Sequence, residues 1–219
     1  VCSLRAAGFK RLIVVVGHLD SCIREVLASS ARGLAIEFVS SPKYRTTNNI
    51  YSLWTARHEI QEPFLLLECD LVFDDALLGQ MLMPDRIAVS SILPWMNGTT
   101  VSLDHSRRVM RFHMGTDQPP DELTHKTVNM YSFSRPSWHR VTQRLERHIS
   151  SGRVNGYYES VFAEMIAEGD LSFEAVFFDN RRWYEVDTLE DLYAAERLFP
   201  RNNGPTNHRP LISGAGGLV

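Results

Sequence analysis

The sequence predicts an α/β fold with a mainly parallel central sheet and helices on both faces, and three observations predict it. Leu12 to Val16 and Phe64 to Leu67 are unbroken apolar runs without polar alternation, as in strands covered on both sides. Segments with apolar residues at helical spacing separate such runs along the chain. The runs stop at glycine or at acids, Gly17 after the first and Glu68-Cys69-Asp70 after the second, which is where open α/β sheets place polar groups that work.

Taken in order, residues 1–7 and Gly8 resemble the last turns of a helix and its C-terminal glycine. A buried first strand at Leu12 to Val16 then implies an earlier strand and crossover upstream of Val1. Ile23, Val26 and Leu27 fall on one face of a helix from Asp20 to Ala31, Gly33 ends it, and Leu34 to Val39 is the next strand. Thr46-Thr47-Asn48-Asn49 supplies capping chemistry for a helix carrying Ile50, Leu53 and Trp54 to about Ile60. After Phe64 to Leu67, a helix from about Asp75 to Leu82 and a strand at Ile87 to Ile92 continue the alternation. It breaks at Pro94: Thr99 to Leu103 and Val109 to His113, with Asp104-His105-Ser106 between them, read as an inserted hairpin at about 95–115. Val128 to Phe133 is a strand, Trp138 to Ile149 a helix with Val141, Leu145 and Ile149 inward. Tyr158, Val161, Phe162, Met165 and Ile166 fit the amphipathic template of a helix from Tyr158 to Ala167 in full. Strands at Phe173 to Phe178 and Arg182 to Val186 and a helix from Leu189 to Phe199 complete a domain over residues 1–199. Residues 200–219 mix Asn, Gly and Pro without period and read as a flexible tail or linker.

With 219 residues and 44% hydrophobic content the chain can bury a full core, and a net charge of −3 argues against nucleic acid as a partner. No apolar run approaches the about 18 residues of a membrane helix, so no membrane partner is expected. Cys2, Cys22 and Cys69 are odd in number and read as small buried hydrophobes in a reducing cytoplasm. The histidines show no metal-ligand spacing, and Gly214-Ala215-Gly216-Gly217 follows no strand.

Two acids stand at strand exits just before a helix: Asp70 and Asp187. Converging carboxylates there suit Mg²⁺, which takes one or two carboxylates and completes its shell with phosphate and water. Helix capping is the competing reading for each, with Glu190 three residues after Asp187, although Thr188 with Asp191 can cap the last helix and release Asp187. Glu185 alternates with Val186, so it shares a side with Asp187; an ordinary exposed strand acid is the alternative.

Pro42-Lys43-Tyr44-Arg45-Thr46-Thr47-Asn48-Asn49-Ile50-Tyr51-Ser52-Leu53, Leu65-Leu66-Leu67-Glu68-Cys69-Asp70 and Trp183-Tyr184-Glu185-Val186-Asp187 resemble, in order and context, the small-molecule cytidylyltransferases of the sugar-phosphate nucleotidyltransferase superfamily. Trp95-Met96-Asn97-Gly98-Thr99-Thr100, Lys126-Thr127-Val128-Asn129-Met130-Tyr131-Ser132-Phe133-Ser134 and Tyr157-Tyr158-Glu159 look most like the 2-aminoethylphosphonate group, with the bacterial phosphocholine group as neighbour. The resemblance implies a nucleotide-diphospho-sugar transferase fold and transfer of CMP from CTP to a small phosphonate or phosphate ester. It implies Mg²⁺ held by Asp70 and Asp187 with help from Glu185. Lys126 would meet the acceptor phosphonate as a compact point charge, and Asn49, Ser52, Tyr158 and Glu159 would line the acceptor pocket, Glu159 receiving its ammonium. A choline acceptor would instead want an aromatic cage, for which Trp54, Trp95, Trp183 and Tyr184 are the candidates.

Family members begin with a strand and a Gly-rich turn that grips the triphosphate, and nothing in residues 1–40 matches it. The nucleotide-binding residues are therefore not identified, and the stretch alone is expected to fold poorly and catalyse weakly. A sugar-1-phosphate nucleotidyltransferase, another metal-dependent transferase of the same sheet, and a non-catalytic remnant are the alternatives. A homo-oligomer is compatible with any of them.

Overall fold

The computed structural model describes residues 1–30, 33–93, 96–115, 123–179 and 182–200. The proposed tail, together with Trp95 of the proposed cage, lies outside the described residues apart from Pro200.

In chain order the elements are α1 (Cys2–Ala6), β1 (Arg11–Val16), α2 (Asp20–Ser30), β2 (Ala35–Ser40), α3 (Asn49–Ala56), β3 (Phe64–Leu67), β4 (Leu71–Phe73), α4 (Ala76–Gln80), β5 (Arg86–Ser90), β6 (Thr100–Leu103), β7 (Val109–His113), β8 (Thr124–Phe133), α5 (Arg135–Ser150), α6 (Glu159–Ala167), β9 (Glu174–Phe177), β10 (Trp183–Glu185) and α7 (Leu189–Leu198). The predicted strand at Phe64 to Leu67 is matched in full, and the expected hairpin exists as the antiparallel pair β6 and β7. Three features differ most. Helix α3 stops at Ala56, and β4 is a strand that three residues of Leu-Val-Phe are too short to announce. Strand β8 begins four residues early, at Thr124, because its polar start pairs with β6 rather than with the core.

The strands form a pair β1-β2, a pair β10-β4 and a six-stranded sheet ordered β7-β6-β8-β5-β9 with β3 on β8. Pairing is mixed, where the alternation of elements predicts mainly parallel pairing: β5 pairs parallel to β9 and β1 parallel to β2, but β8 runs antiparallel to β3, β5 and β6. The physical reason is that alternation of elements along the chain does not record the direction in which a strand enters a sheet, and β8 enters against all three of its neighbours.

Period-two alternation splits the central strands between two cores. Phe64, Leu66, Ile87, Val89, Tyr131 and Phe133 face α3, α5 and α6, where Leu53, Val141, Leu145, Val161, Phe162 and Met165 close the larger core. Leu65, Leu67, Ala88, Val128 and Met130 face the other way, onto Leu77 and Met81 beside α4 and onto Trp183. Helices thus cover both faces. Phe162, fully buried against Tyr131, Phe133 and Phe173, anchors the larger core, and Phe→Ala at such a site costs about 3–5 kcal/mol.

The cysteine reading is corrected: Cys2, Cys22 and Cys69 are all exposed free thiols. Apolar neighbours along the chain did not place them, because Cys22 falls on the outer face of α2 and Cys69 at a strand exit. No helix among the described residues is long and apolar enough to cross a membrane.

Candidate active site

β3 ends at Leu67, and the chain turns through Glu68, Cys69 and Asp70 into β4. Because β4 pairs antiparallel with β10, Leu71 lies opposite Glu185, and the Val186 N–H donates to the Asp70 carbonyl at 2.9 Å. Two acid-bearing segments remote in sequence are thereby held side by side. Carboxylate oxygens of Glu68, Asp70 and Glu185 all lie within 4.8 Å of one another, and each residue is half-buried.

Each member is held differently. Glu68 Oε1 accepts from Tyr158 Oη at 2.7 Å and from Asn49 Nδ2 at 3.1 Å. Glu185 Oε1 accepts from Asn129 Nδ2 at 2.7 Å, while its Oε2 lies 3.1 Å from the buried Lys126 Nζ. Asp70 Oδ1 is buried without a hydrogen-bond partner. An orphaned anionic oxygen inside a cluster of carboxylates is a costly arrangement unless a cation shares it. Burial pushes the carboxyls of Glu68, Asp70 and Glu185 above their ordinary range, and mutual repulsion adds to it. Tyr158 and Asn49 oppose the shift at Glu68, as Lys126 does at Glu185.

Asp187 is exposed just beyond β10, outside the tight triad but near enough for its charge to raise Asp70. It is free of capping duty, since Thr188 caps α7 in a full capping box with Asp191. Glu68, which the sequence presents only as part of the Glu68-Cys69-Asp70 strand exit, is the cluster member not singled out from sequence. Its signal was the i, i+2 spacing to Asp70 at a strand exit.

The remaining predicted residues sort by depth. Lys126 is 2% exposed and donates to the Thr127 carbonyl at 2.9 Å as well as facing Glu185. Gly98, with φ of +95°, passes so close that a Cβ there would sit 3.3 Å from Lys126 Nζ. Asn49 spends its amide on Glu68 and accepts at Oδ1 from the Tyr158 N–H at 3.0 Å, so it ties α3 to the start of α6. Tyr158 and Glu159 are buried beneath the cluster, whereas one acid on an amphipathic helix reads as exposed. Glu159 Oε2 has no partner, Tyr131 Oη donates to its Oε1 at a long 3.4 Å, and burial pushes its carboxyl up to about 8. Ser52 is half-buried one turn along α3, and no hydrogen bond among the described residues joins it to the cluster.

Of the cage candidates, Trp183 and Tyr184 line one cavity and Trp54 packs elsewhere. Trp54 donates Nε1 to Glu146 at 2.8 Å, lies 3.8 Å from the Arg57 guanidinium, and packs on the larger core. Trp183 belongs to the smaller core across the sheet.

No protein-family model matches the chain. Over 208 residues, 90% of the chain, it is 29% identical to CMP-5'-(3-aminopropyl)phosphonate synthase of Streptomyces rubellomurinus, and it spans 32% of that protein's length. The CTP:phosphocholine cytidylyltransferase of Streptococcus pneumoniae superposes with a TM-score of 0.73 at 17% identity, over 91% of this chain and 82% of that one. The inositol-1-phosphate CTP transferase of T. maritima gives 0.69 at 16%, over 90% and 79%. The nucleotide-diphospho-sugar transferase fold expected from the motifs is therefore the observed one, and the resemblance to small-molecule cytidylyltransferases holds in both sequence and structure.

Proposed function

We propose that this chain is the cytidylyltransferase portion of an enzyme that transfers CMP from CTP to an aminoalkylphosphonate, with 2-aminoethylphosphonate as the acceptor that the motifs favour. The observation that carries the reading is the carboxylate triad at the strand exits, with Asp70 Oδ1 orphaned and Lys126 beside it. The relative named for (3-aminopropyl)phosphonate supports a phosphonate acceptor.

In this reading an acceptor phosphonate oxygen attacks the α-phosphorus of CTP, a P–O bond forms, and the bond to the β-phosphate breaks to release pyrophosphate. No side-chain nucleophile takes part. Asp70 and Glu185, with Glu68 and Asp187 beside them, would hold Mg²⁺, and the orphaned Asp70 oxygen and the all-oxygen donor set fit that ion. Bound Mg²⁺ supplies charge neutralisation between two anions that otherwise repel. Lys126 adds a fixed positive charge for a phosphoryl oxygen, and burial preserves its strength. Tyr158, Asn49 and Glu159 support the cluster from beneath. A cytoplasmic setting goes with CTP as donor and with three free thiols.

The test is pyrophosphate release by the full-length protein with CTP and Mg²⁺, offered 2-aminoethylphosphonate, (3-aminopropyl)phosphonate, phosphocholine and a sugar 1-phosphate in turn. Turnover with a phosphonate, lost in Asp70→Asn, is the expected result. Preference for phosphocholine or the sugar phosphate, or full activity in that variant, overturns the assignment.

A further inference from the structure

Asn129 plays no part in the chemistry above, yet it touches two of the three clustered acids. Its backbone is left-handed, with φ of +54°, although it lies inside strand β8 and is 7% exposed. The ladder shows why. Between the pairs Ile87↔Tyr131 and Val89↔Thr127, β5 advances two residues while β8 advances four, so β8 bulges at Asn129. The left-handed region is sterically costly for residues with a Cβ and least so for Asn.

The bulge re-aims one residue at two acids. The Glu68 N–H donates to the Asn129 carbonyl at 3.3 Å, and Asn129 Nδ2 donates to Glu185 Oε1 at 2.7 Å. The Thr127 hydroxyl, fully buried, stands 3.0 Å from Asn129 Oδ1 and 3.1 Å from the Thr99 carbonyl and donates its single proton to one or the other, while the acceptor-only Glu185 carboxylate fixes which end of the amide faces it. Lys126, in regular register just before the bulge, faces the other Glu185 oxygen.

We propose that Asn129 is the positioning residue of the site: its left-handed bulge sets the spacing between Glu68 and Glu185 and aims the Glu185 carboxylate into the cluster. This rests on reading that cluster as a divalent-cation site. Strain stored beside a site and held by its surroundings is how such spacing is kept before a ligand arrives.

Three variants of the full-length protein test it, with Mn²⁺ as the probe, read by electron paramagnetic resonance and by calorimetry. Asn129→Gly keeps the backbone conformation and loses the amide; Asn129→Ala loses both; Asn129→Asp sets an acceptor against Glu185. All three weaken Mn²⁺ binding by about 10- to 100-fold, as loss of an outer partner of a metal ligand does. Asn129→Ala melts below Asn129→Gly because only glycine adopts the left-handed conformation freely. In turnover the loss falls on kcat rather than on KM for CTP. Wild-type Mn²⁺ affinity in Asn129→Gly, equal melting of the Gly and Ala variants, or a wild type that binds no Mn²⁺ overturns the proposal. A wild type that binds Mn²⁺ but transfers no CMP sinks the function proposed above and leaves this role standing.

Discussion

Glu159→Gln isolates the most perturbed carboxyl in the structure. Glu159 is 4% exposed, its Oε2 has no partner, and burial, reinforced by the charge of Glu68, lifts it from the ordinary 4.5 to about 8. The folded state therefore keeps a proton that the unfolded chain releases, so this group's contribution to stability is intact below about pH 4.5 and is lost progressively up to pH 8. At about 1.4 kcal/mol per pH unit, the penalty reaches about 3 kcal/mol at pH 7 and about 5 kcal/mol above pH 8. Glutamine preserves the shape and cannot ionise, so it removes the slope. Urea unfolding at pH 5.5 and 7.5 measures it. The wild type should lose about 2–3 kcal/mol more than Glu159→Gln across that interval, with equal m-values. Parallel pH profiles for the two proteins would show that Glu159 is not held neutral by burial, and the account of its place beneath the cluster would fail.

Asp70→Asn removes one of three mutually repelling carboxylates, so thermal melting should stay level or rise while pyrophosphate release falls about 100-fold or more; a joint loss of both would mark Asp70 as structural. Lys126→Ala strips the buried partner from Glu185, and chemical denaturation should show a loss of about 3 kcal/mol, largely recovered in Lys126→Met with Glu185→Gln, because an uncompensated buried charge is then absent. Gly17→Ala places a Cβ 2.7 Å from the Tyr44 Cβ at the exit of β1, and should cost about 1–3 kcal/mol by thermal melting without altering Mn²⁺ affinity.

Some of the molecule is legible residue by residue. Tyr158, Val161, Phe162 and Met165 announce α6 and its buried face, because helical periodicity is written in neighbours three and four apart. Phe64 to Leu67 announces a strand covered on both faces, and Asp70 stands out as an acid at the exit of such a run. Thr188 and Asp191 likewise declare the cap that leaves Asp187 unoccupied.

What the sequence determined by itself is the longer elements, the faces they bury and the acids at their ends, since each depends on residues within a turn or a pleat of one another. Tertiary structure alone decided that β8 enters antiparallel between β3 and β5, that it bulges at Asn129, that Glu68 completes the triad and that Glu159 is sealed from water. Those outcomes turn on which strand meets which and in what register. Side chains 56 residues apart, as Asn129 and Glu185 are, meet only when the sheet closes, and no local pattern records that encounter.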